Sequence, residues 1–519
     1  MAIALTAVLL AAGQALASTL LGAVRNASNL SGAAAVAVAG PYAYTTSYWP
    51  GQLTTVKLAN PANPTIVGAT PPETYLENAV NVTLAGHDAF VVSKNRNASP
   101  TSNDDGSGNS LTIVDVSSPA NPRIVGHLQD PDRLFGAYGI AVAGHLAYVA
   151  AQGILAGQAT APRTSYGSFS VIDVGNPASP SIVGHIDNGP VAGGHNYLEH
   201  ATSVAISGHF AYVTAFYDKR VTVIDISRPR SPRIVTSLRD AQNLPFPNDL
   251  TIQGSYAYVT NQADAHQFTV LDISKPAHPK VAASLTAAVL SGAYRIRTGG
   301  GFAFIAASGA AAVAAIDISN PLSPALVSSL QDPGHLNATI GIDPAGPGRL
   351  VAASPRLASE GTRNVPPFPT NTGTVSVVAL TLPPVATGSL TGVAGFRPRL
   401  QLAVAPSPDQ APLKRVTISL PPGLSLSRLK GQLARGIGAI DPHGRKIGFR
   451  ASIVRGSLVL VLKRAPASVQ ITIGGSALSA SPGLARKVRQ GKTRRLRIAI
   501  AFADTRRATH RLSAVVPVA

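Results

Sequence analysis

One phrase that recurs along the chain constrains its fold more than any other feature of the sequence. A short apolar run ends in Asp and is followed by Pro-x-x-Pro and a second apolar run, most clearly in VTVIDISRPRSPRIVTSL at 221–238. The Asp recurs after steps of 58, 52, 47 and 45 residues, at Asp115, Asp173, Asp225, Asp272 and Asp317. Repeats of this length indicate an array of similar supersecondary units.

A second recurring phrase lies between the Asp residues and places two more β-strands around a Gly turn. Copies are VTLAGHDAFVV, IAVAGHLAYVA, VAISGHFAYVT and LTIQGSYAYVT, which begin at Val82, Ile140, Val204 and Leu250. Alternating β-branched and aromatic residues between Gly and Pro favour strands over helices. Four strands per unit is the composition of a propeller blade. The Gly turns, with a distorted copy from Thr339, predict an all-β fold with a seven-bladed β-propeller at residues 18–390.

Degenerate copies of the Asp phrase are expected in the terminal blades, where ring closure imposes different demands. They start at Leu53 and Val375 and carry Lys57 and Ala379 in place of the Asp. Two segments are candidates for the outermost strand of the last blade, TLLGAV at 19–24 and PVATGSL at 384–390. Either would remove an exposed strand edge, and the sequence leaves the choice open.

The repeated polar residues are predicted to be scaffold rather than active site. Each repeat Asp ends a strand, where its carboxylate can accept a hydrogen bond from the backbone N–H two residues further on. Equivalent residues in five units cannot all belong to one active site. The same argument applies to His87, His145 and His209, which occupy the hairpin turns.

The two phrases resemble those of the secreted bacterial LVIVD-repeat proteins. The resemblance covers roughly residues 30 to 390, with Lys57 and Ala379 as departures from the repeated Asp. It implies a propeller at the cell surface or outside the cell, and it implies little about chemistry.

The N-terminus predicts export. MAIALTAVLLAAGQALA contains an apolar run and the pattern Ala15-Leu16-Ala17 of a signal peptide at 1–17, although no Lys or Arg precedes the run. The run is too short to cross a bilayer, and no later stretch is long and apolar enough to do so. The chain has no Cys, which excludes disulfides, thiolate metal sites and a Cys nucleophile.

Candidate ligand-binding residues lie in the loops that lead into the first strand of each blade, because these loops converge at one mouth of the central channel. They are Glu77, Asn78, His195, Glu199, His200 and His335. Among them, His195, Glu199 and His200 are candidate ligands of a divalent metal. The alternative is a hydrogen-bonded polar rim without a cofactor, because the spacing His-x-x-x-Glu-His matches no recognised metal motif.

Two further candidates lie three residues into neighbouring inner strands. Asp249 and Arg295 share one register and are expected to meet near the channel axis. An ion pair between blades is favoured over a catalytic acid, because a permanently charged Arg lowers the pKa of a nearby carboxyl.

After about residue 390 the repeat stops and the charge changes. Residues 385–519 hold 23 Lys and Arg against three Asp, a net charge of +20 where the whole chain has +19. The runs LKRVTISL, SLVLVLKR, SVQITIGG and RRLRIAIAF predict strands, so residues 391–519 are expected to form a small basic β-sandwich-like domain. The densest basic run is expected to bind polyanions and comprises Arg486, Lys487, Arg489, Lys492, Arg494, Arg495 and Arg497.

These features predict an exported binding or scaffold protein whose basic domain tethers it to anionic cell-envelope polymers or surface proteins. The sequence has no nucleophile elbow, phosphate loop or dinucleotide fingerprint. The alternative function is a metal-dependent hydrolase or lyase at the channel mouth. Nucleic acid is disfavoured as a partner, because the basic domain has few aromatic residues for stacking and export removes it from the cytoplasm.

Overall fold

The structure is a computed structural model, and it describes residues 18–94, 108–153, 167–187, 197–262, 265–355, 373–406, 412–441, 444–507 and 509–518. The predicted signal peptide and His195 lie outside these residues. The first strand is β1 (Thr19–Asn26). Among the described residues, no helix is long and apolar enough to span a membrane.

Six consecutive four-stranded antiparallel sheets follow, each in chain order, and they form blades one to six. The first three blades comprise β2 (Ala33–Ala39), β3 (Tyr42–Ser47), β4 (Gln52–Lys57) and β5 (Thr65–Ala69); β6 (Ala79–Ala85), β7 (Asp88–Ser93), β8 (Ser110–Asp115) and β9 (Arg123–Gln129); and β10 (Ala137–Ala143), β11 (Leu146–Ala151), β12 (Ser168–Asp173) and β13 (Ser181–Asp187). The next three comprise β14 (Ala201–Ser207), β15 (Phe210–Ala215), β16 (Arg220–Asp225) and β17 (Arg233–Arg239); β18 (Pro247–Gln253), β19 (Tyr256–Asn261), β20 (Gln267–Asp272) and β21 (Lys280–Thr286); and β22 (Ala293–Gly299), β23 (Phe302–Ala307), β24 (Ala312–Asp317) and β25 (Ala325–Gln331).

Blade seven joins the two ends of the propeller. It contains β26 (Gly341–Pro344), β27 (Arg349–Ser354) and β28 (Gly373–Ala379), and its outer strand is the N-terminal β1, which pairs antiparallel with β28. The innermost strand of each blade contacts that of the next, and β26 contacts β2. The described strands therefore form a closed ring, and an all-β propeller, as predicted, is the fold of this part of the chain.

The glycine of β1 explains why this segment fits the outer position. A Cβ on Gly22 would lie 2.5 Å from the carbonyl oxygen of Ala62 in blade one. Gly126 and Gly184 occupy the same place in the outer strands of blades two and three, and a Cβ on either would lie 2.0 Å from a carbonyl oxygen in the Pro-x-x-Pro loop of the following blade. In these blades the outer strand therefore packs on its neighbour through a position where a Cβ would meet backbone. Blades four, five and six have Thr236, Ala283 and Ser328 at the same register.

The turn function predicted for the repeated aspartates is confirmed. In all five copies the carboxylate Oδ1 accepts the backbone N–H of the residue two places on, at 2.8–3.0 Å. The hairpin residues are also part of the scaffold, since the carbonyls of His87, His145 and His209 accept the N–H that follows the Asp. These contacts tie the two turns at the same end of each blade.

The propeller core is divided into clusters between adjacent blades. One cluster joins blades two and three through residues such as Ile113 and Val149, and comparable clusters follow around the ring. The cluster between blades seven and one includes Val36 and Val377, with Leu21 of β1 packed against it. Burial of apolar area at every blade interface is the main contribution to stability in such a ring.

The C-terminal region is a β-sandwich with one hydrophobic core. One sheet has the order β29-β30-β36-β33 and the other the order β34-β35-β31-β38-β39, and β32 pairs with β37. The elements are β29 (Val385–Thr391), β30 (Arg399–Ala405), β31 (Leu413–Ser419), β32 (Leu424–Leu426), α1 (Lys430–Gly436), β33 (Ile437–Ile440), β34 (Phe449–Val454), β35 (Ser457–Leu462), β36 (Val469–Ile473), β37 (Leu478–Ala480), α2 (Pro482–Arg489), β38 (Arg495–Asp504) and β39 (Thr509–Pro517). The expected boundary at 390 falls inside β29, so the second candidate for blade closure is a strand of the sandwich instead.

Candidate functional site

A buried leucine marks the same point in every inter-blade loop and defines the register of the channel mouth. Each of these leucines is fully buried beneath the loop, and together they are Leu30, Leu76, Leu134, Leu198, Leu244, Leu290 and Leu336. In blades one to six the innermost strand begins three residues after this leucine. The blade-specific residues around this point form one end of the channel.

The second residue after the leucine adopts a left-handed backbone conformation in six of the seven described loops. Its φ lies between 54° and 71° at Gly32, Asn78, Gly136, His200, Gly292 and Ala338. Asn and His are among the non-glycine residues that enter this region most readily. The backbone therefore contributes to the choice of Asn78 and His200, whatever their side chains bind.

His335 does not belong to this ring, so its predicted position is wrong. The leucine register places Asn337 and Ala338 in blade seven at the positions of Glu77 and Asn78. His335 Nδ1 is 2.9 Å from Asp332 Oδ2, and the His335 N–H also bonds to this carboxylate. Arg133 and Asn243 make the equivalent contacts in their own loops. His335 is thus a turn residue. The loop has the usual length, since Leu336 and Ile342 are six residues apart like Leu134 and Ile140, and the error was a shift of register in the distorted hairpin phrase of blade seven.

The other predicted mouth residues have distinct surroundings. Glu77 ends a 3₁₀ turn at Thr74–Leu76, and both Glu77 and Glu199 have interaction partners. The His200 ring packs 4.7 Å from the Tyr217 ring and 5.7 Å from Phe216, measured between centroids. Burial, with a smaller effect of the Lys94 charge, lowers the pKa of His200 to about 3. Its imidazole is therefore neutral at physiological pH.

The metal hypothesis finds no support among the described residues. They contain no group of three or more His, Cys, Asp or Glu side chains that could hold an ion. His195, one of the three candidate ligands, lies outside them. The Lys94 ammonium that lowers the pKa of His200 would also repel a cation on that imidazole. A divalent metal here stays an untested expectation.

A second ring at the mouth was missed by the sequence analysis. It is formed by the residue after the second strand of each blade, whose N–H donates to the carbonyl of the left-handed position. In blades one to six these residues are Tyr48, Lys94, Gln152, Phe216, Gln262 and Ser308. The signal was available, because each residue directly follows a recognisable phrase such as FVVS or YVTA. Ring positions that vary in residue type from blade to blade indicate a surface that is not shaped by the repeat alone.

Further down the channel, the predicted pair Asp249 and Arg295 lies in a buried network. Arg295 Nε is 3.9 Å from Asp249 Oδ2, and both side chains are at most 3% exposed. Asp249 accepts hydrogen bonds from Ser203 Oγ of blade four at 2.5 Å and from the Ile296 N–H of blade six at 3.0 Å. Arg295 also donates to the Val80 carbonyl of blade two at 2.9 Å, across the axis. The network therefore joins blades that are not neighbours.

Two charged residues that the sequence analysis did not single out extend this network. Arg297 Nη1 is 3.3 Å from Asp249 Oδ2, and its Nε is 3.8 Å from Asp343 Oδ1. Asp343 accepts the Val38 N–H at 2.7 Å. Burial raises the pKa of Asp343 to about 6, although Arg297 and the Val38 N–H act in the opposite direction. A cavity of about 320 Å³, lined by Asn81, Ser203 and Asp249 among others, lies beside these groups.

The basic run of the C-terminal domain lies on a helix, a turn and a strand. Ser481 caps α2 by accepting the Leu484 N–H, and α2 leads through Gly491 at φ 69° into β38. Six of the seven predicted cations are exposed, namely Arg486, Lys487, Arg489, Lys492, Arg494 and Arg497. Arg495 differs, because it is partly buried and its guanidinium lies 5.6 Å from the ring centre of Tyr256 in the propeller.

The same domain has further arginines on the outer face of its five-stranded sheet. Arg415 and Arg450 both pair with Val461, Arg511 pairs with Ala501, and Arg497 projects from the same face. All four are exposed. The acidic residues do not offset them: Asp441 and Asp504 are buried, and Asp409 lies outside the described residues. Within the described part of the domain, the surface thus carries no exposed carboxylate side chain.

Comparison with known protein families decides what the repeats are. The family model described as the LVIVD repeat matches residues 32–70, 106–130, 165–188, 199–240, 247–286 and 292–332. The protein is an LVIVD-repeat β-propeller. No curated protein matches its sequence.

Solved structures similar to this LVIVD-repeat protein share little sequence with it. A protein from Lactobacillus plantarum has 14% identity and a TM-score of 0.46, with 62% of this chain and 87% of that chain covered. The periplasmic gluconolactonase of Pseudomonas aeruginosa has 12% identity and a TM-score of 0.45, with 57% and 85% covered. A putative 6-phosphogluconolactonase from Bacteroides fragilis has 9% identity and a TM-score of 0.44, with 59% and 84% covered. At these values the similarities carry no statement about activity.

Proposed function

We propose that this LVIVD-repeat protein is an exported binding or scaffold protein, held at the cell envelope by attraction between its C-terminal domain and anionic polymers. The observation that carries the proposal is the surface of that domain. Exposed arginines and lysines cover α2, β38 and the outer sheet face, while Asp441 and Asp504 are buried. A surface of one sign attracts a polyanion without a need for shape-specific recognition.

The arrangement of charge suits attachment that leaves the propeller available. Residues 1–384 have a net charge of −1, from 20 basic and 21 acidic residues, whereas residues 385–519 have +20. A polyanion would therefore engage the C-terminal domain and leave the blade-specific channel mouth free for another ligand. Attraction of this kind acts over about 8 Å at physiological ionic strength, so it should be strong in dilute salt and weak in concentrated salt.

The sequence of the N-terminus supports the export that the proposal requires. The first 17 residues have the pattern of a signal peptide, and the chain contains no Cys that an oxidising compartment would modify. The abundant polyanions outside a bacterial cell are wall polymers, acidic glycans and lipid headgroups. The alternative function, a metal-dependent hydrolase or lyase, is not favoured by any contact among the described residues.

The test compares retention of the full chain on bacterial cell-wall material in low and high salt. The variant R486Q/K487Q/R489Q removes three exposed charges from α2, and we expect it to elute at clearly lower salt than the wild type. The matched control R228Q/R230Q/K275Q removes three exposed charges from propeller loops, and it should elute like the wild type. Equal elution of the two variants, or retention that does not depend on salt, would contradict the proposal.

A further inference from the structure

We infer that the channel mouth of the propeller binds a small organic anion with a flat apolar body, and that Lys94 provides the positive charge for it. The inference rests on the proposed function in one respect, since it names the class of ligand that the tethered propeller would hold. It concerns residues of blades two to five and involves none of the residues of the C-terminal domain.

Lys94 is a cation without a carboxylate partner among the described residues. It belongs to the ring that follows the second strand of each blade, and its N–H donates to the Asn78 carbonyl at 3.2 Å. Its ammonium lies 5.7 Å from the ring centre of Tyr138, in the innermost strand of blade three. Burial lowers the pKa of Lys94, and no nearby acid offsets this effect. Lys94 is partly exposed, and an ammonium partly withdrawn from water without a counter-charge is costly. A ligand anion would supply that counter-charge.

Two other polar groups at the mouth are buried and lack partners in the described structure. Asn78 is only 7% exposed, yet its Nδ2 makes no hydrogen bond. His200 Nδ1 is likewise buried without a partner. Buried polar groups are normally hydrogen-bonded, and those that are not call for an explanation such as a missing ligand. The Asn78 amide and the Lys94 ammonium belong to two residues joined by a backbone hydrogen bond, and each can donate a hydrogen bond to an oxyanion.

Aromatic side chains line the part of the mouth formed by blade four and the loop that leads into blade five. Phe216, which occupies the same ring position as Lys94, lies 5.3 Å from Phe246 and 5.0 Å from Tyr217 between centroids. Tyr217 is 44% exposed, which is unusual for a large apolar side chain in this protein. Lys219 adds a second cation, with its ammonium 5.4 Å from the Phe246 ring centre. Flat apolar groups stack on such rings, so the ligand is expected to combine an anionic group with a planar body.

The experiment measures binding of benzoate, phenyl phosphate and benzyl alcohol to the full chain by isothermal titration calorimetry. Benzyl alcohol has the same ring without the charge, and the two anions distinguish carboxylate from phosphate. We expect saturable binding of at least one anion that is about tenfold or more tighter than that of benzyl alcohol, as one charge-assisted hydrogen bond allows. Lys94→Met should weaken this binding by about tenfold or more.

Two controls separate this site from the basic C-terminal surface. R486Q/K487Q/R489Q should bind the anion like the wild type, and so should Lys275→Met, which removes an exposed lysine from a propeller loop. Asn78→Asp provides a second test that does not depend on the folding of the lysine variant, because a carboxylate on the residue whose carbonyl accepts the Lys94 N–H should repel the anion at the mouth. Binding that survives Lys94→Met, or that is lost in the C-terminal variant instead, overturns the inference. The absence of saturable binding by either anion also overturns the inference. None of these results bears on the proposed attachment through the C-terminal domain.

Discussion

At the scale of single residues, position in the fold gives one residue type opposite properties. Hydrogen bonds from Ser227, aided by Arg233, hold the pKa of Asp225 below its ordinary value. Asp343, beside the channel, has its pKa raised to about 6 by burial. Both aspartates lie at or near the end of a short β run, but Asp225 ends the third strand of its blade at a turn and Asp343 lies in an innermost strand.

The contrast predicts opposite effects of pH on stability. Between pH of about 4, where an unfolded Asp titrates, and about 6, native Asp343 binds more protons than the unfolded chain does. The stability of the wild type relative to Asp343→Asn should therefore decrease as pH rises through this window and stay constant above it. Urea unfolding at a series of pH values measures the difference.

Asp225→Asn is the matched control for this prediction. The lowered pKa of Asp225 means that its charge favours the native state, so the wild type should gain relative to this variant above pH of about 4 and lose that gain as pH falls further. If both variants showed the same dependence on pH, the difference in environment between the two carboxyls would be contradicted.

At the scale of elements, closure of the ring depends on a strand that precedes the first blade. β1 pairs with β28 along its length, and Leu21 and Val24 pack against the cluster between blades seven and one. Gly22 lets the strand approach the backbone of Ala62. The strand thus contributes both backbone hydrogen bonds to one blade and packing against the next.

Gly22→Ala should therefore destabilise the propeller. The added Cβ would meet backbone atoms at 2.5–2.6 Å, and backbone can yield only by moving β1 or the loop of blade one. Overpacking of this kind costs about 1–3 kcal/mol, which should appear as a lower melting temperature and as faster proteolysis near the N-terminus. Gly299→Ala is the control, because its Cβ would make only ordinary contacts at 3.9 Å. Equal melting of the two variants would indicate that β1 does not lock the ring.

At the scale of the whole molecule, the propeller and the C-terminal domain differ in net charge and have separate hydrophobic cores. The described hydrophobic clusters between blades consist of residues up to Leu382, and Ala405 of the sandwich packs against one of them. The sandwich has a hydrophobic core of its own. The Arg495–Tyr256 contact also joins the two regions. We therefore expect that changes to the charged C-terminal domain alter the proposed tethering and leave the stability of the propeller unchanged.

A chain that ends at Pro384 should keep the melting temperature of the propeller, because it retains the clusters between blades. A chain that ends at Ala379 is the matched comparison: it loses Leu380 and Leu382, which are 2% and 4% exposed in the cluster between blades six and seven. Removing a buried leucine side chain costs about 2–5 kcal/mol, so the shorter chain should melt at a much lower temperature. Calorimetry of both chains checks this, and a large loss in the longer one would mean that the sandwich supports the ring.

Much of the fold could be predicted from the sequence, because each local pattern recurs in several blades and every copy supports the same assignment. The Asp turns and the Gly hairpins were predicted from these repeats, and the contacts of Asp115 and Asp225 confirm the turns. The strands of the basic domain were predicted from local apolar patterns, and β31, β35, β36 and β38 confirm them. The site was less accessible, because mouth residues are the ones that do not repeat. His335 was misplaced because the hairpin phrase of blade seven is distorted and hides the register. Lys94 was missed because it follows a strand phrase in which only its neighbours recur.

The sequence by itself determined the β-propeller, the turn function of its aspartates and the concentration of positive charge after residue 384, because each follows from short-range patterns or from composition. Only the tertiary structure decided that β1 rather than 385–391 completes blade seven, that Asp249 and Arg295 lie in a network shared by several blades, and that Lys94 faces the mouth beside Tyr138. The physical reason is that these contacts join residues from distant parts of the chain. Two strands with similar apolar patterns are distinguished only by the surface on which each one packs.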